Sequence, residues 1–451
     1  MDSLALMTDL YELTMAASFF ENRLCQEATF SLFVRTYPAE RNFFVAAGLA
    51  DVIEYLEGFH FTGADIDYLH STKIFKDDFL DHLKTLRFTG RLMALPEGRI
   101  FFVDEPILEI TGPLLEVQLF ESFVINAINL QTMIASKAAR VVQAAQGRRL
   151  VDFSLRRTQG IDAGLKVARA TYLVGFAGTS NVLAGQKYGL PIVGTMAHSY
   201  VTAFQKEIEA FRAFVRTFPE SAVLLIDTYD TIEAAHKAVT VGREMASRGQ
   251  KLRGVRLDSG DMASLSREVR GILDQGGLKE ALIFASGAFD EYKVAQMVEE
   301  GAAIDSFGVG TKVGVSADAP YLDTAYKLVM FDGRPVIKLS KGKKTLAGPK
   351  QIFRFYDSSG MMKEDVLGQR QESLPSAQPL LEPVMEAGRR LGPPESLEAI
   401  RQRFQADFAR LPEALKSLSP APRYPVRLSA GLVSLQEQVE QRLEERELGE
   451  S

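Results

Sequence analysis

Apolar and polar positions along this chain change rhythm near residue 148, and that change organises everything else. Before it the pattern is mixed. Residues 9–22 read as a helix, with Asp9 and Glu12 in a loose capping-box pattern and Leu10, Leu13 and Ala17 spaced to share one face. Segments 28–36 and 42–47 read as strands, and 48–58 and 64–87 as helices. Between 88 and 118, short apolar runs alternate with turn signals such as Pro96-Glu97-Gly98 and Thr111-Gly112-Pro113, which predicts several short strands. The stretch 119–146 has the length and period of one long helix.

After residue 148 apolar runs recur: Leu150 to Phe153, Ala170 to Phe176, Ile192 to Gly194, Val223 to Ile226, Gly254 to Leu257, Ala281 to Phe284 and Ile304 to Phe307. Amphipathic stretches at 161–169, 230–248, 261–275 and 289–301 lie between several of them. Units of about 30 residues are the mark of parallel β-α-β structure, and six or seven in succession favour a closed or nearly closed β/α barrel over an open sheet. Past residue 320 the pattern turns irregular. Short strands are expected over 326–356, joined by the basic loop Lys341-Gly342-Lys343-Lys344. The proline-rich stretch 374–395 reads as a linker or wandering loop, and 431–449 as a charged, solvated helix.

Composition narrows the class. The chain has 451 residues, enough for two or three domains, with 46% apolar and 24% charged residues, as in ordinary globular proteins. A net charge of −6 argues against a nucleic-acid binder that relies on bulk positive potential. Cys25 is the only cysteine, which excludes an intrachain disulfide and a cysteine-based zinc site. Neither a signal-peptide start nor an apolar run of membrane-spanning length occurs, so a soluble, cytoplasmic protein is expected, with no membrane partner.

Reactive residues sit where the apolar runs end. Phe307-Gly308-Val309-Gly310-Thr311 suits either close approach of backbone N–H groups to a phosphate or a tight strand-to-helix turn, and Ser286-Gly287 offers further donors. Strand alternation sends Arg256 and Asp258 to one side; with Ser259, Gly260 and Asp261 they suit a ribose, a metal-bound diphosphate or a carboxylate, or else form a structural Arg–Asp pair. Arg156 and Arg157 follow another strand, where one side chain can enter the cavity or both can be solvated. His198, in Gly194-Thr195-Met196-Ala197-His198-Ser199, is the one histidine at a predicted strand end, and suits acid, base or nucleophile as well as a structural role. His60, His70, His82 and His236 read as structural or surface residues. Strand carboxyl ends converge on one face of a barrel, where chemistry sits.

Together these segments resemble the nicotinate phosphoribosyltransferase family. The resemblance runs from residue 8 to about 356 through Thr8 to Met15, Asp152 to Gly160, Thr179 to Gly185, Gly194 to Ser199, Gly254 to Asp261, Ala285 to Asp290, Phe307 to Thr311 and Gly342 to Arg354. It implies a type II phosphoribosyltransferase-like α/β fold: an irregular β/α barrel packed on an α/β sandwich domain, with a C-terminal extension. The corresponding domains are 1–120 (sandwich), 121–325 (barrel) and 326–451 (strands, proline-rich segment and helices returning to the sandwich). It also implies nicotinate, phosphoribosyl pyrophosphate and ATP as substrates, Mg2+ as cofactor with its protein ligands unknown, and a homodimer with active sites at the interface.

Residue by residue, the resemblance implies that Tyr11, reaching the partner's barrel, stacks on the pyridine ring, with Phe153 as a second face. Arg256 and Thr195 hold the carboxylate, with Arg156 nearby. Asp258 lies near the ribose and serves catalysis. Ser286, Gly287, Gly308, Gly310 and Thr311 bind the 5-phosphate, and His198 accepts a phosphoryl group from ATP. Some relatives carry a zinc-binding cysteine cluster in the C-terminal extension, which the single cysteine rules out here, and some place a side-chain amide at position 287. The rival readings are a sister enzyme acting on nicotinamide or quinolinate, a catalytically silent nucleotide-binding relative, and a Schiff-base aldolase-type barrel. No lysine ends a predicted core strand convincingly for the last.

Overall fold

The computed structural model describes residues 4–339 and 345–447. The basic loop Lys341 to Lys344, with the start of the Gly342–Arg354 signature, lies outside the described residues. The chain forms two compact units: residues up to Met133 together with those from Tyr321 onward, and Ile134–Pro320. The boundary falls inside the helix Glu121–Ala145.

In the first unit a seven-stranded antiparallel sheet runs in the order Arg334–Pro335, Thr324–Phe331, Glu27–Val34, Pro106–Pro113, Arg91–Ala94, Glu382–Glu386, Arg389–Arg390. Pro106–Pro113 is buried on both faces over all but its last residue, although Glu109 and Thr111 alternate with Leu108 and Ile110. A four-stranded sheet joins Gln378–Pro379, Lys350–Tyr356, Met362–Gln369 and Val426–Leu428.

Several expectations need correction here. The proline-rich stretch is not a linker, because Glu382–Glu386 pairs with Arg91–Ala94; a register shift beside Pro383 accommodates a residue that cannot donate to the ladder. The helix foreseen over 64–87 is two, Gly63–Ser71 and Asp77–Thr85. They are parted where the Thr72 hydroxyl bonds the Leu69 carbonyl at 2.6 Å and Lys73 takes a left-handed φ of 57°. Helix Leu10–Glu21 forms as expected, yet Asp9 makes no side-chain cap. Its carboxylate and that of Glu12 both accept from the Ser122 hydroxyl, at 2.7 and 2.6 Å. The buried positions are Glu12, Leu13 and Ala16, and Leu10 points to solvent. The last helix, Ala430–Glu447, is not wholly solvated: Leu432 and Val439 are buried, and Gln436 accepts from the Ala347 backbone N–H at 3.0 Å.

The second unit is the β/α repeat. Five parallel strands lie in the order Arg149–Asp152, Ser306–Val309, Leu282–Ser286, Gly254–Leu257, Val223–Leu225. The first strand of the unit is thus beside the last, as barrel curvature requires. Single parallel bridges carry the series on, from Asp152 to Thr179 and from Thr179 to Ile192. No ladder joins Ile192 to Val223–Leu225 among the described residues, so the barrel is irregular, with one seam lacking strand pairing.

One predicted strand is absent. Residues 170–173 continue the helix Ile161–Leu173, with the Thr171 hydroxyl bonded to the Val167 carbonyl at 3.0 Å. A buried helical segment and a buried strand present the same unbroken apolar run. Gly175, at φ 127°, then allows the turn towards Thr179. Short helices at Val182–Tyr188 and His198–Thr202 and a longer one at Glu207–Thr217 were not foreseen. The strands Leu282–Ser286 and Ser306–Val309 end two residues later than their apolar runs suggested.

Candidate active site

Most strand-to-helix turns of the barrel use an Asx cap. Asn181, Asp230, Asp261 and Asp290 each accept a backbone N–H from the first turn of the following helix. Asp261, read from sequence beside Asp258 as one of two nearby carboxylates, is therefore taken up by the Ser264 N–H. Asp258 is the carboxylate left for chemistry.

Arg256 organises the strand ends. Val255 and Leu257 are fully buried, and the alternation puts Arg256 and Asp258 on the other side of the strand. The guanidinium reaches four partners on three segments: Nε donates to the Ser286 hydroxyl at 2.8 Å, and Nη1 to Thr195 Oγ1 at 3.0 Å and the Met196 carbonyl at 3.1 Å. Nη2 donates to Asp258 Oδ1 at 2.8 Å. Through Thr195 and Met196, Arg256 also ties the Gly254–Leu257 strand to the chain that follows Ile192, near the unpaired seam. The Phe153 ring lies 5.6 Å from the guanidinium carbon, within cation–π range.

Asp258 is charged by its neighbours. Burial alone raises its pKa, but hydrogen bonds from Ser286 and Arg256, the Arg256 charge and His198 outweigh burial and hold the carboxyl below its usual range. Its Oδ2 lies 4.0 Å from His198 Nε2, while His198 Nδ1 is 3.1 Å from the Thr228 hydroxyl. Asp227 fixes the Asp258 backbone, accepting the Asp258 N–H at 3.1 Å and the Ser259 hydroxyl at 2.6 Å.

The glycines have packing reasons as well as any role with ligands. A Cβ on Gly308 would stand 2.8 Å from the Phe153 ring, and one on Gly310 would stand 2.8 Å from the Phe153 carbonyl oxygen. Gly287 takes φ 113°, and a Cβ there would meet the Asp258 carbonyl oxygen at 2.3 Å. Gly308 lies inside its strand and is buried; Gly310 and Thr311 lie just beyond it, with the Thr311 hydroxyl 3.4 Å from Arg157 Nη1.

The structure thus brings together Phe153, Thr195, His198, Arg256, Asp258, Ser286, Gly287, Gly308 and Gly310 in one unit. Arg156 and Arg157 are not on an extended strand with opposed side chains. They occupy a 3-10 turn, Leu155–Arg157, and both are exposed. Tyr11 belongs to the other unit, on the exposed side of helix Leu10–Glu21. Sequence reading gave Thr228 no role and noted Asp227 only as a strand-end residue. The polar pair directly after the apolar run Val223 to Ile226 was the available signal. No cluster of three or more metal-ligating side chains occurs among the described residues, and none of their helices is long and apolar enough to cross a membrane.

A strand-end arginine ringed by a carboxylate, two hydroxyls and an aromatic ring, with a histidine beside them, fits a phosphoribosyltransferase of the β/α-barrel class. Residues 6–129 match the nicotinate phosphoribosyltransferase (NAPRTase) N-terminal domain, 148–366 the NAPRTase family, and 375–436 the nicotinate phosphoribosyltransferase C-terminal domain. The chain is 46% identical to nicotinate phosphoribosyltransferase pncB2 of Mycobacterium tuberculosis, over 95% of this chain and 92% of that one. It is 36% identical to the nicotinate phosphoribosyltransferase of Bacillus subtilis, over 95% and 93% of the two chains. The crystal structure of human nicotinic acid phosphoribosyltransferase superposes with a TM-score of 0.87 at 30% identity, covering 96% of this chain and 99% of that one. The chain belongs to the nicotinate phosphoribosyltransferase family.

Proposed function

We propose that this chain is a nicotinate phosphoribosyltransferase of NAD salvage. It joins nicotinate to phosphoribosyl pyrophosphate, releases pyrophosphate, and couples the reaction to ATP hydrolysis through a phosphohistidine at His198. The observation that carries the reading is Arg256, a guanidinium fixed by four partners beside an aromatic ring. A charged, pre-oriented donor of that kind suits the carboxylate of a planar aromatic acid and has nothing to offer an uncharged amide.

In this reading the nicotinate carboxylate meets Arg256 and Thr195, with Arg156 at the entrance. The pyridine ring lies along Phe153, with Tyr11 of a second copy closing the other face of the ring. The ring nitrogen attacks the anomeric carbon as pyrophosphate leaves, and positive charge develops on the ribose. Asp258, kept ionised by Arg256 and Ser286, sits where it can stabilise that charge. Backbone groups at Gly287, Gly310 and Thr311, supported by Ser286 and Gly308, receive the 5-phosphate. Holding both substrates in line is the larger part of the catalysis.

Mg2+ supplies neutralisation of the leaving diphosphate. The residues present fit an ion carried mainly by phosphate oxygens and water, with Asp227 and Asp258 the carboxylates at hand: one Asp227 oxygen is buried without a hydrogen-bond partner. His198, held by Thr228 and facing Asp258, accepts the terminal phosphoryl group of ATP. The enzyme acts as a cytoplasmic homodimer, a state that light scattering reads directly.

The test is to incubate the protein with phosphoribosyl pyrophosphate, Mg2+, ATP and either nicotinate or nicotinamide, with His198→Ala in parallel, and quantify mononucleotide. Product from nicotinate alone, with ATP stimulation lost in the variant, is the expected result. Product from nicotinamide instead assigns the chain to the sister activity, and product from neither ends the enzymatic reading.

A further inference from the structure

Lys137 stands in the helix Glu121–Ala145 between Ser136 and Ala138, in a buried stretch that includes Ile134, Ala135 and Ala139, and its side chain is 2% exposed. An ammonium group there persists only with close partners. It has two carboxylates: Glu291 at 2.6 Å and Asp318 at 2.8 Å. Arg140, one turn further on, adds a second hold on Glu291 at 3.0 Å.

The two carboxylates come from different loops. Glu291 opens the helix that follows Ser286 to Asp290, and Asp318 follows the short helix Thr311–Gly314. A second tie between the same loops lies nearer the surface, where Lys312 donates to Asp290 at 2.5 Å.

We propose that Lys137 is a positioning residue for the phosphoribosyl site. Its ammonium group ties the loop after Leu282–Ser286 to the loop after Ser306–Val309, and so sets the spacing between the two groups of backbone donors that receive the 5-phosphate. The inference rests on the reading of those loops given above. Backbone N–H groups cannot be re-aimed one at a time, and their hydrogen bonds weaken steeply with distance and angle, so loop spacing controls phosphate affinity. A buried ion triad is a poor stabiliser compared with an apolar core of the same volume, which points to geometry as the reason for this one. Lys137 acts through Glu291 and Asp318.

Asp318→Asn is the discriminating variant, since it loosens the tie to one loop and leaves the buried Lys137–Glu291 pair intact. The readouts are the Kd of ribose 5-phosphate by calorimetry and the separate KM values for phosphoribosyl pyrophosphate and nicotinate. Expected are a rise of about tenfold in the Kd and the phosphoribosyl pyrophosphate KM, a nicotinate KM within about twofold, and a melting midpoint lowered by less than in Lys137→Met. Lys137→Met is expected to move the same two constants further, with a lower midpoint. Equal rises in both KM values, or an unchanged Kd in Asp318→Asn, would overturn the proposal. If the wild-type protein binds ribose 5-phosphate but makes no nicotinate mononucleotide, the activity reading fails while the Kd comparison still decides this one. Failure of the wild type to bind ribose 5-phosphate overturns the phosphate reading of the loops and this inference with it.

Discussion

Two arginine–aspartate pairs, one in each unit, use the same chemistry to opposite ends. Arg354 and Asp365 are both fully buried and bonded along their forks, Nε to Oδ1 at 3.0 Å and Nη2 to Oδ2 at 2.6 Å. Tyr424 donates to the same carboxylate at 3.1 Å, and Asp407 lies 3.7 Å from the guanidinium. Burial, then the neighbouring Asp365, pushes the Glu105 carboxyl well above its ordinary range. That cluster is closed on itself. Arg256 and Asp258 are 15% and 32% exposed, their partners come from three other segments of the barrel, and Asp258 turns one oxygen toward His198. Residue type does not separate a structural pair from a functional one. Partial exposure and partners drawn from several strand ends do.

The largest effect should come from the closed pair. Arg354→Met leaves Asp365 buried without its cation, while Asp407 keeps Arg99 at 2.8 Å, and chemical denaturation should register a loss of about 3–5 kcal/mol. A loss under ~1 kcal/mol would mean that the cluster readily readmits water, and the contrast between the two pairs would collapse.

A smaller effect tests how the open site is shaped. Gly308→Ala places a methyl group against the Phe153 ring, which must tilt or shift. The nicotinate KM should rise by about tenfold with little change in that for phosphoribosyl pyrophosphate. A rise confined to phosphoribosyl pyrophosphate would instead make Gly308 a direct phosphate contact.

How much of this was legible in the chain depends on where each signal lay. The barrel strands and long helices followed from local periodicity, and Arg256 with Asp258 from simple alternation. The seam, the Thr228 contact and the Lys137 triad join residues far apart in sequence, which no local pattern encodes. Thr195 meets Arg256 across 61 positions, for example. Lys137 and Arg140 did leave a trace, as two charges one turn apart within an otherwise uncharged run of the helix. The helix that runs on past residue 169, where a strand was expected, and the broken helix at Thr72 are cases where tertiary packing or a hydroxyl overrode the apolar pattern.

The last predicted effect, on stability alone, lies beside Tyr11. Glu12 is fully buried, and burial raises its carboxyl to about 7 against the opposing hydrogen bonds from Ser122 and Thr8. Glu121 adds to the rise. A folded-state pKa above the unfolded one means the stabilising contribution is complete below about 4.5 and is lost as pH climbs through about 7. Glu12→Gln, which cannot ionise, should match the wild type in acid and exceed it by about 1–3 kcal/mol at pH 8. Thermal melts at the two pH values check this; a variant less stable at pH 8 would show that the ionised carboxylate is the form the fold prefers.

The central claim is that Arg256 reads the carboxylate of nicotinate, and the ratio of kcat/KM for nicotinate to that for nicotinamide tests it most directly. Wild-type protein and Arg256→Gln would be measured side by side, with melting midpoints recorded for both. The account predicts a high ratio in the wild type that falls by about 100-fold or more in the variant, through loss of the nicotinate activity. An unchanged ratio, with both activities reduced together, would contradict it and make Arg256 a structural strut of the barrel.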